Sequence, residues 1–444
     1  MGGGAAHASI RSYKRLPGAG GTIGCMAQQF KPEDLLLHQR ITALHCARGK
    51  PVAACSVRSV DRGKDDYVSC IWAFALDVGP ARQLTRGPGQ DTSPRWSPDG
   101  SRLAFTSTRS GSVQLYVLDT DGGEARQVGQ FDGAPASPRW SPDGRSIYVT
   151  YAVDVDPDWR GARGQEPKPR GPRSPEVAWK LPYKSDGMGY MLAREIHLAQ
   201  VDAGSGERRK LTDGPFDVLA FDPSPNGRHL AYSRTREGRF AHATDLWVCD
   251  TDGRNHRQLT HGISTVVQPL WSPDGRWIVF SGAEDEGDAL AYLWLVDFAT
   301  GKVTRLGDDT ALLAAPDTAY WADDAASLFF ARIHRGRHEI ARISVPSGNI
   351  EVISARDRQL GVLGWAGSRF VFAPDTPVEP SELHCCNADG SGERRVSDLN
   401  PWWRDRTPMH LEAREFQVPD GRGGTETIQG WVMHAQGARG RCRC

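Results

Sequence analysis

A serine, a histidine and an aspartate make a hydrolytic centre only when a base can take the serine proton and preformed N–H donors face the oxyanion. All three residue types are plentiful in the 444 residues, but no serine has glycine both two positions before and two positions after it, and His-Gly-Gly does not occur. The nucleophile elbow and oxyanion segment of that chemistry are not written in this sequence. Metal chemistry is served little better. The nine cysteines fall at 25, 46, 55, 70, 249, 385, 386, 442 and 444, with no Cys-x-x-Cys pair and no histidines at zinc spacing. His45-Cys46 and His384-Cys385-Cys386 place ligand-type side chains next to one another. Asp119-Thr-Asp-Gly122 and Asp250-Thr-Asp-Gly253 line up carboxylates, but a calcium loop needs further oxygens and a bidentate glutamate. Strand thiols and hairpin turns are the simpler reading. No catalytic, cofactor-binding or metal-binding residue is assigned, no cofactor is expected, and the substrate-binding residues are unknown.

The elements that carry these residues are bounded by composition. Fifty-four Lys+Arg balance 54 Asp+Glu, so no global field recruits nucleic acid or an anionic membrane. The longest apolar run, Ala289 to Val296, is far shorter than the roughly 20 residues a bilayer span requires. Reduced thiols and the absence of a secretory signal in the first 25 residues lead us to expect a cytoplasmic protein. Residues 1–26 read as an unstructured Gly/Ala-rich leader, with Met26 as an alternative start.

The interior repeats. Ser93-Pro-Arg-Trp-Ser-Pro-Asp-Gly100 and Ser137-Pro-Arg-Trp-Ser-Pro-Asp-Gly144 are identical and lie 44 residues apart. Weaker copies stand at Ser224-Pro-Asn-Gly227, Trp271-Ser-Pro-Asp-Gly275, Trp321-Ala-Asp-Asp324 and Trp365-Ala-Gly-Ser368, each leading into a β-rich stretch such as Arg102-Leu-Ala-Phe-Thr-Ser107. Proline presets φ, aspartate caps its own backbone and glycine accepts positive φ, so Ser-Pro-Asp-Gly makes a tight reversal between strands. The Trp before each turn suits a ring wedged between neighbouring sheets. Short antiparallel strands in units of about 40–50 residues are the mark of a propeller blade. The expected fold is an all-β, seven-bladed β-propeller over residues 27–398. Its first blade is diverged (Pro51–Val57, Tyr67–Phe74, Ala81–Thr85), and the others begin near 93, 137, 218, 267, 318 and 362. Blade three is interrupted by an insertion at 154–194, whose Arg160, Arg163, Lys168, Arg170 and Arg173 read as a solvated loop rather than a nucleic-acid surface, because no aromatic residues interleave with them.

Lys31-Pro-Glu-Asp-Leu35, Arg82-Gln-Leu-Thr85, Asp91 to Gly100, Gly122-Gly-Glu-Ala-Arg-Gln127 and Tyr183-Lys-Ser-Asp-Gly-Met-Gly-Tyr190 together resemble the prolyl oligopeptidase (S9) family of serine peptidases, in its acylaminoacyl-peptidase and dipeptidyl-aminopeptidase-like branch. The resemblance covers residues 27 to 434. Tryptophan-Ser-Pro-Asp-Gly repeats by themselves are less specific and are also similar to TolB-type propellers. The segment 399–444, with Glu415-Phe-Gln-Val418, an Asp420-Gly421 turn and Thr427-Ile-Gln-Gly-Trp-Val-Met433, resembles the crossover into the family's α/β-hydrolase domain, of which only a truncated start is expected.

Two functions follow. In the first, the chain is the non-catalytic propeller portion of such a peptidase, which in the family gates peptide access to a Ser-Asp-His site. In the second, it is a stand-alone TolB-like propeller that acts as a protein-binding scaffold. A propeller enzyme with a metal or cofactor in its channel lacks a ligand cluster. Peptides are the expected partners, with no nucleic acid and no membrane, and an open C-terminal edge invites self-association.

Overall fold

The computed structural model describes residues 28–435, apart from 78, 88, 156–177, 187–188 and 288. Seven four-stranded antiparallel sheets follow one another along the chain, each built from consecutive strands. Blade one is Arg40–Cys46, Val52–Asp61, Asp66–Ala75 and Arg82–Gln83, and blade two is Asp91–Trp96, Arg102–Ser107, Gln114–Asp119 and Arg126–Gln127. The remaining blades open with Pro135–Trp140, Val218–Pro223, Thr265–Trp271, Ala319–Trp321 and Gln359–Trp365. These first strands contact their counterparts in neighbouring blades and so form the innermost ring. Among the described residues the longest helix is the single 3-10 element Pro32–Leu37, and no helix is long and apolar enough to cross a membrane.

The turns behave as their residues dictate. Asp99 Oδ1 accepts from the Ser97 hydroxyl and from the Ser101 N–H at 3.1 Å, while Gly100 sits at φ +65°. Blade three repeats this with Ser141, Asp143 and Gly144, blade five with Ser272, Asp274 and Gly275. The Leu-Thr step of Gln83-Leu-Thr85, Lys210-Leu-Thr212 and Gln258-Leu-Thr260 has an equally local purpose. Thr85, Thr212 and Thr260 hydroxyls each accept a third-strand N–H at 2.9 Å, holding short outer strands in place.

Tryptophan links the blades. Trp96 Nε1 donates to His45 O at 3.1 Å, Trp140 Nε1 to Arg95 O at 3.0 Å and Trp321 Nε1 to Leu270 O at 3.3 Å, each reaching the blade before its own. Trp96, Trp140, Trp271 and Trp321 are buried. Trp365 departs from the expected burial: it is half-buried against Phe329 and Phe370. In blade four Pro223 takes the tryptophan position.

The expected first blade lacked its inner strand. Arg40–Cys46 fills that place, and it escaped notice because Cys46-Ala-Arg-Gly49 has neither the tryptophan nor the Ser-Pro-Asp-Gly signal, although Gly49 still turns at φ +67°. Within the insertion of blade three, Lys184–Ser185 and Gly189–Tyr190 form a small hairpin, while Arg160, Arg163, Lys168, Arg170 and Arg173 lie outside the described residues.

Among the described residues no strand is exchanged between the first and last blades; side chains, with a short backbone bridge of Gln28 to Asp405 and Thr407, close the ring. Leu44, Cys46, Val371, Leu383 and Cys385 share one core across that seam. Gln39 N–H donates to Asn400 Oδ1 at 2.8 Å, and the Arg406 guanidinium grips Asp34 with a forked pair at 2.7 and 2.6 Å. That fork holds the Asp34 carboxyl down at about 2. Beyond the ring, Met409–Pro419 and Thr425–Ala435 form a two-stranded hairpin of their own. Among the described residues no helix or further sheet accompanies these two strands.

Candidate functional site in the axial channel

The residue before each tryptophan turns to the opposite face of its inner strand, because successive side chains of a strand alternate. Arg95 and Arg139 reach from there across the axis to the far side of the ring, whereas Leu270 and Tyr320 pack against interblade cores. The positions are His45, Arg95, Arg139, Asp222, Leu270, Tyr320 and Gly364, one per blade.

Two of these groups, Arg95 and Arg139, meet one further acid. Asp317, in the loop entering blade six, has Oδ1 2.8 Å from Arg139 Nη2 and Oδ2 3.5 Å from Arg95 Nη2. The arginines belong to blades three and two, so the contacts cross the channel. Gln268 Nε2 donates to Asp317 Oδ1 at 3.2 Å, and the Tyr320 hydroxyl donates to Leu363 O in blade seven at 2.7 Å. Asp317 and Gln268 stand at φ +59° and +49°, as Ser93 and Ser137 do at +54° and +52°; in blades two, three and five these residues lie where the inner-strand register slips, and each slip bends the strand as a bulge.

The electrostatics follow from enclosure. Burial pushes the Asp317 carboxyl up, but the Arg139 and Arg95 guanidiniums outweigh it and hold it below its ordinary value. Burial, reinforced by Arg139, brings Arg95 down to about 10. Asp222 is pushed up to about 6 by burial, against the opposing N–H of Trp271, which donates to its Oδ2 at 2.8 Å. Burial and then Arg95, Arg139 and Arg48 hold His45 well below its usual range. Its Nδ1 accepts the Trp96 N–H at 3.1 Å, so the neutral ring carries its proton on Nε2. The channel is thus a place where guanidiniums face carboxylates, suited to holding a charged ligand.

The residues weighed for metal binding are dispersed. His45 lines the channel while Cys46 packs into the seam core. His384 Nδ1 lies 3.4 Å from Glu393, which Arg358 and Arg356 also hold. Cys385 and Cys386 point into different interblade cores, one on each side of blade seven, and burial raises both thiols. Asp250 is taken by His229 and Asn255, and Asp252 by Arg254. No cluster of three or more metal-ligand side chains exists among the described residues. The channel arginines were missed because the two octapeptides were read for their turns. Strand alternation takes Arg95 and Arg139 off the tryptophan face, and their meeting with Asp317 is what shows that they reach the axis.

The family model described as the TolB beta propeller domain matches residues 60–155 and 192–406. The chain is 28% identical over 428 residues to an uncharacterised peptidase, YuxL, of Bacillus subtilis, covering 92% of this chain and 64% of that protein. It is 23% identical to dipeptidyl-peptidase 5 of Porphyromonas gingivalis, covering 93% of this chain and 62% of the relative. Less than two thirds of either relative is therefore spanned. Among solved structures, the acylaminoacyl peptidase of Pyrococcus horikoshii superposes with a TM-score of 0.68 at 16% identity, over 90% of this chain and 58% of that one, a likeness of fold.

Proposed function

The chain belongs to the TolB β-propeller domain family, and from that premise we propose that it is the propeller portion of a prolyl-oligopeptidase-type serine peptidase, where it gates the passage of peptides to a Ser-Asp-His site. One observation carries the reading: the match to peptidases runs through 92% of this chain yet through only 64% of the Bacillus relative, leaving room there for chemistry that this sequence does not encode. The geometry supports it. Arg95, Arg139 and Asp317 meet across the axis, so a peptide using the channel must pass a charged constriction. The hairpin Met409–Pro419 with Thr425–Ala435 exposes Phe416, Ile428 and Met433, a surface that a catalytic domain would cover. The buried Cys46, Cys55, Cys249, Cys385 and Cys386, all free, fit the reducing cytoplasm.

The test is a chimera in which this chain is joined to the part of the Bacillus relative that it does not span. The reading predicts a peptidase active on short peptides. A chimera that folds but hydrolyses nothing, while the relative itself is active, would favour the free-standing scaffold instead.

A further inference from the structure

Two guanidiniums converge on one carboxylate inside the channel, and that carboxylate stays open to solvent on one side. Asp317 keeps 58% of its side chain accessible and approaches Arg95 only to 3.5 Å, while Arg139 holds its other oxygen at 2.8 Å. The arginines are the fixed partners. The side chain of Arg95 is only 10% accessible, its Nη1 donates to Pro94 O at 3.0 Å, and its Nε is buried without a hydrogen-bond partner. The side chain of Arg139 is 22% accessible. A buried guanidinium with an unsatisfied nitrogen, beside a second one and a solvent-accessible acid, is the arrangement of a receptor whose own chain occupies it.

We propose that Arg95 and Arg139 form a binding site for the C-terminal carboxylate of a peptide, and that Asp317 fills the site until such a carboxylate displaces it. A carboxylate fits better than a phosphate, because it replaces Asp317 charge for charge and Asp222 in the same wall opposes a dianion. Gln268, released from Asp317, supplies a neutral donor to the incoming group. That the carboxylate is carried by a peptide rests on the peptidase reading; that the arginine pair takes a carboxylate does not.

The experiment is calorimetric titration of the purified chain with trialanine, trialanine amide and succinate. Trialanine should bind and its amide should not. Asp317→Asn removes the internal competitor, keeps a side chain that tolerates positive φ, and should tighten trialanine by about tenfold. Arg139→Lys keeps the charge but loses the fork, and should weaken it by a similar factor. Equal binding of acid and amide, or no gain in Asp317→Asn with its circular dichroism unchanged, would overturn the site. Binding of succinate without trialanine would overturn the peptide assignment. An active chimera indifferent to amidation would sink this inference while leaving the proposed function intact.

Discussion

Arg139 Nη2 in blade three lies 2.8 Å from Asp317 Oδ1 in blade six, a contact across the propeller axis between residues 178 positions apart. Nothing local explains such a pairing, because each residue is fixed by its own inner strand or the loop that enters it. The pair should act as a brace between opposite sides of the ring. In a double-mutant cycle, Arg139→Ala and Asp317→Ala should each lower stability, and their coupling should be roughly 0.5–1 kcal/mol, kept small by solvent access to the acid. Urea unfolding of the four proteins measures it, and strict additivity would show the contact to be idle.

Asp222 gives the channel a pH dependence whose sign is fixed. Its carboxyl sits at about 6 in the folded chain, above the usual value near 3.9, so the folded state holds its proton more tightly than the unfolded one. The stabilisation is full below about 3.9 and is lost as pH rises through about 6. Asp222→Asn still offers an oxygen to the Trp271 N–H and carries no charge. The variant should gain about 1–2 kcal/mol over the parent at pH 7.5, after allowance for partial solvent access, and nothing at pH 4. Thermal melts of both proteins at the two pH values decide this, and an unchanged difference would mean that Asp222 is not perturbed.

Trp140 is the interblade wedge of blade three, buried among Val117, Ile147 and Val149, with its indole N–H on Arg95 O. Trp140→Ala should cost about 3–5 kcal/mol through lost contact and the cavity left behind. Trp365→Ala, at a half-buried position, should cost distinctly less. Equal losses at the two sites would contradict the difference in their packing.

These tryptophans also show what the sequence made legible. A turn such as Ser97-Pro-Asp-Gly100 depends on the residues within it, and the identical octapeptides therefore announced the blades and their spacing. The seven sheets, the oversized third blade and the terminal hairpin follow from such local chemistry. The inner strand Arg40–Cys46 did not, since packing across the seam rather than turn residues defines it. Nor did the channel cluster. Arg95 and Arg139 gain their meaning from Asp317, which only closure of the whole ring brings to them.

The terminal hairpin pairs only with itself and leaves Phe416, Ile428, Trp431, Val432 and Met433 exposed, with the Trp431 ring resting against Gly336 of blade six. We expect self-association through this face. Ending the chain at Pro408 should improve solubility and leave the β-signature in circular dichroism unchanged. A cut at Asn400 should do worse, because it removes Arg406 and with it the forked grip on Asp34 that ties the two ends of the ring. Sedimentation of the three proteins at equal concentration tests the order. Equal association in all three would place the contact elsewhere.

The central claim is that this propeller admits peptides by size to a catalytic site it does not itself contain. The most direct measurement is hydrolysis of a peptide length series, ending in a folded protein, by the chimera with the Bacillus relative's remaining part and by that part alone. The account predicts that the propeller-bearing enzyme cleaves short peptides and spares the folded protein, with Asp317→Ala shifting the cut-off to longer peptides. A chimera whose length profile matches that of the catalytic part alone would contradict it.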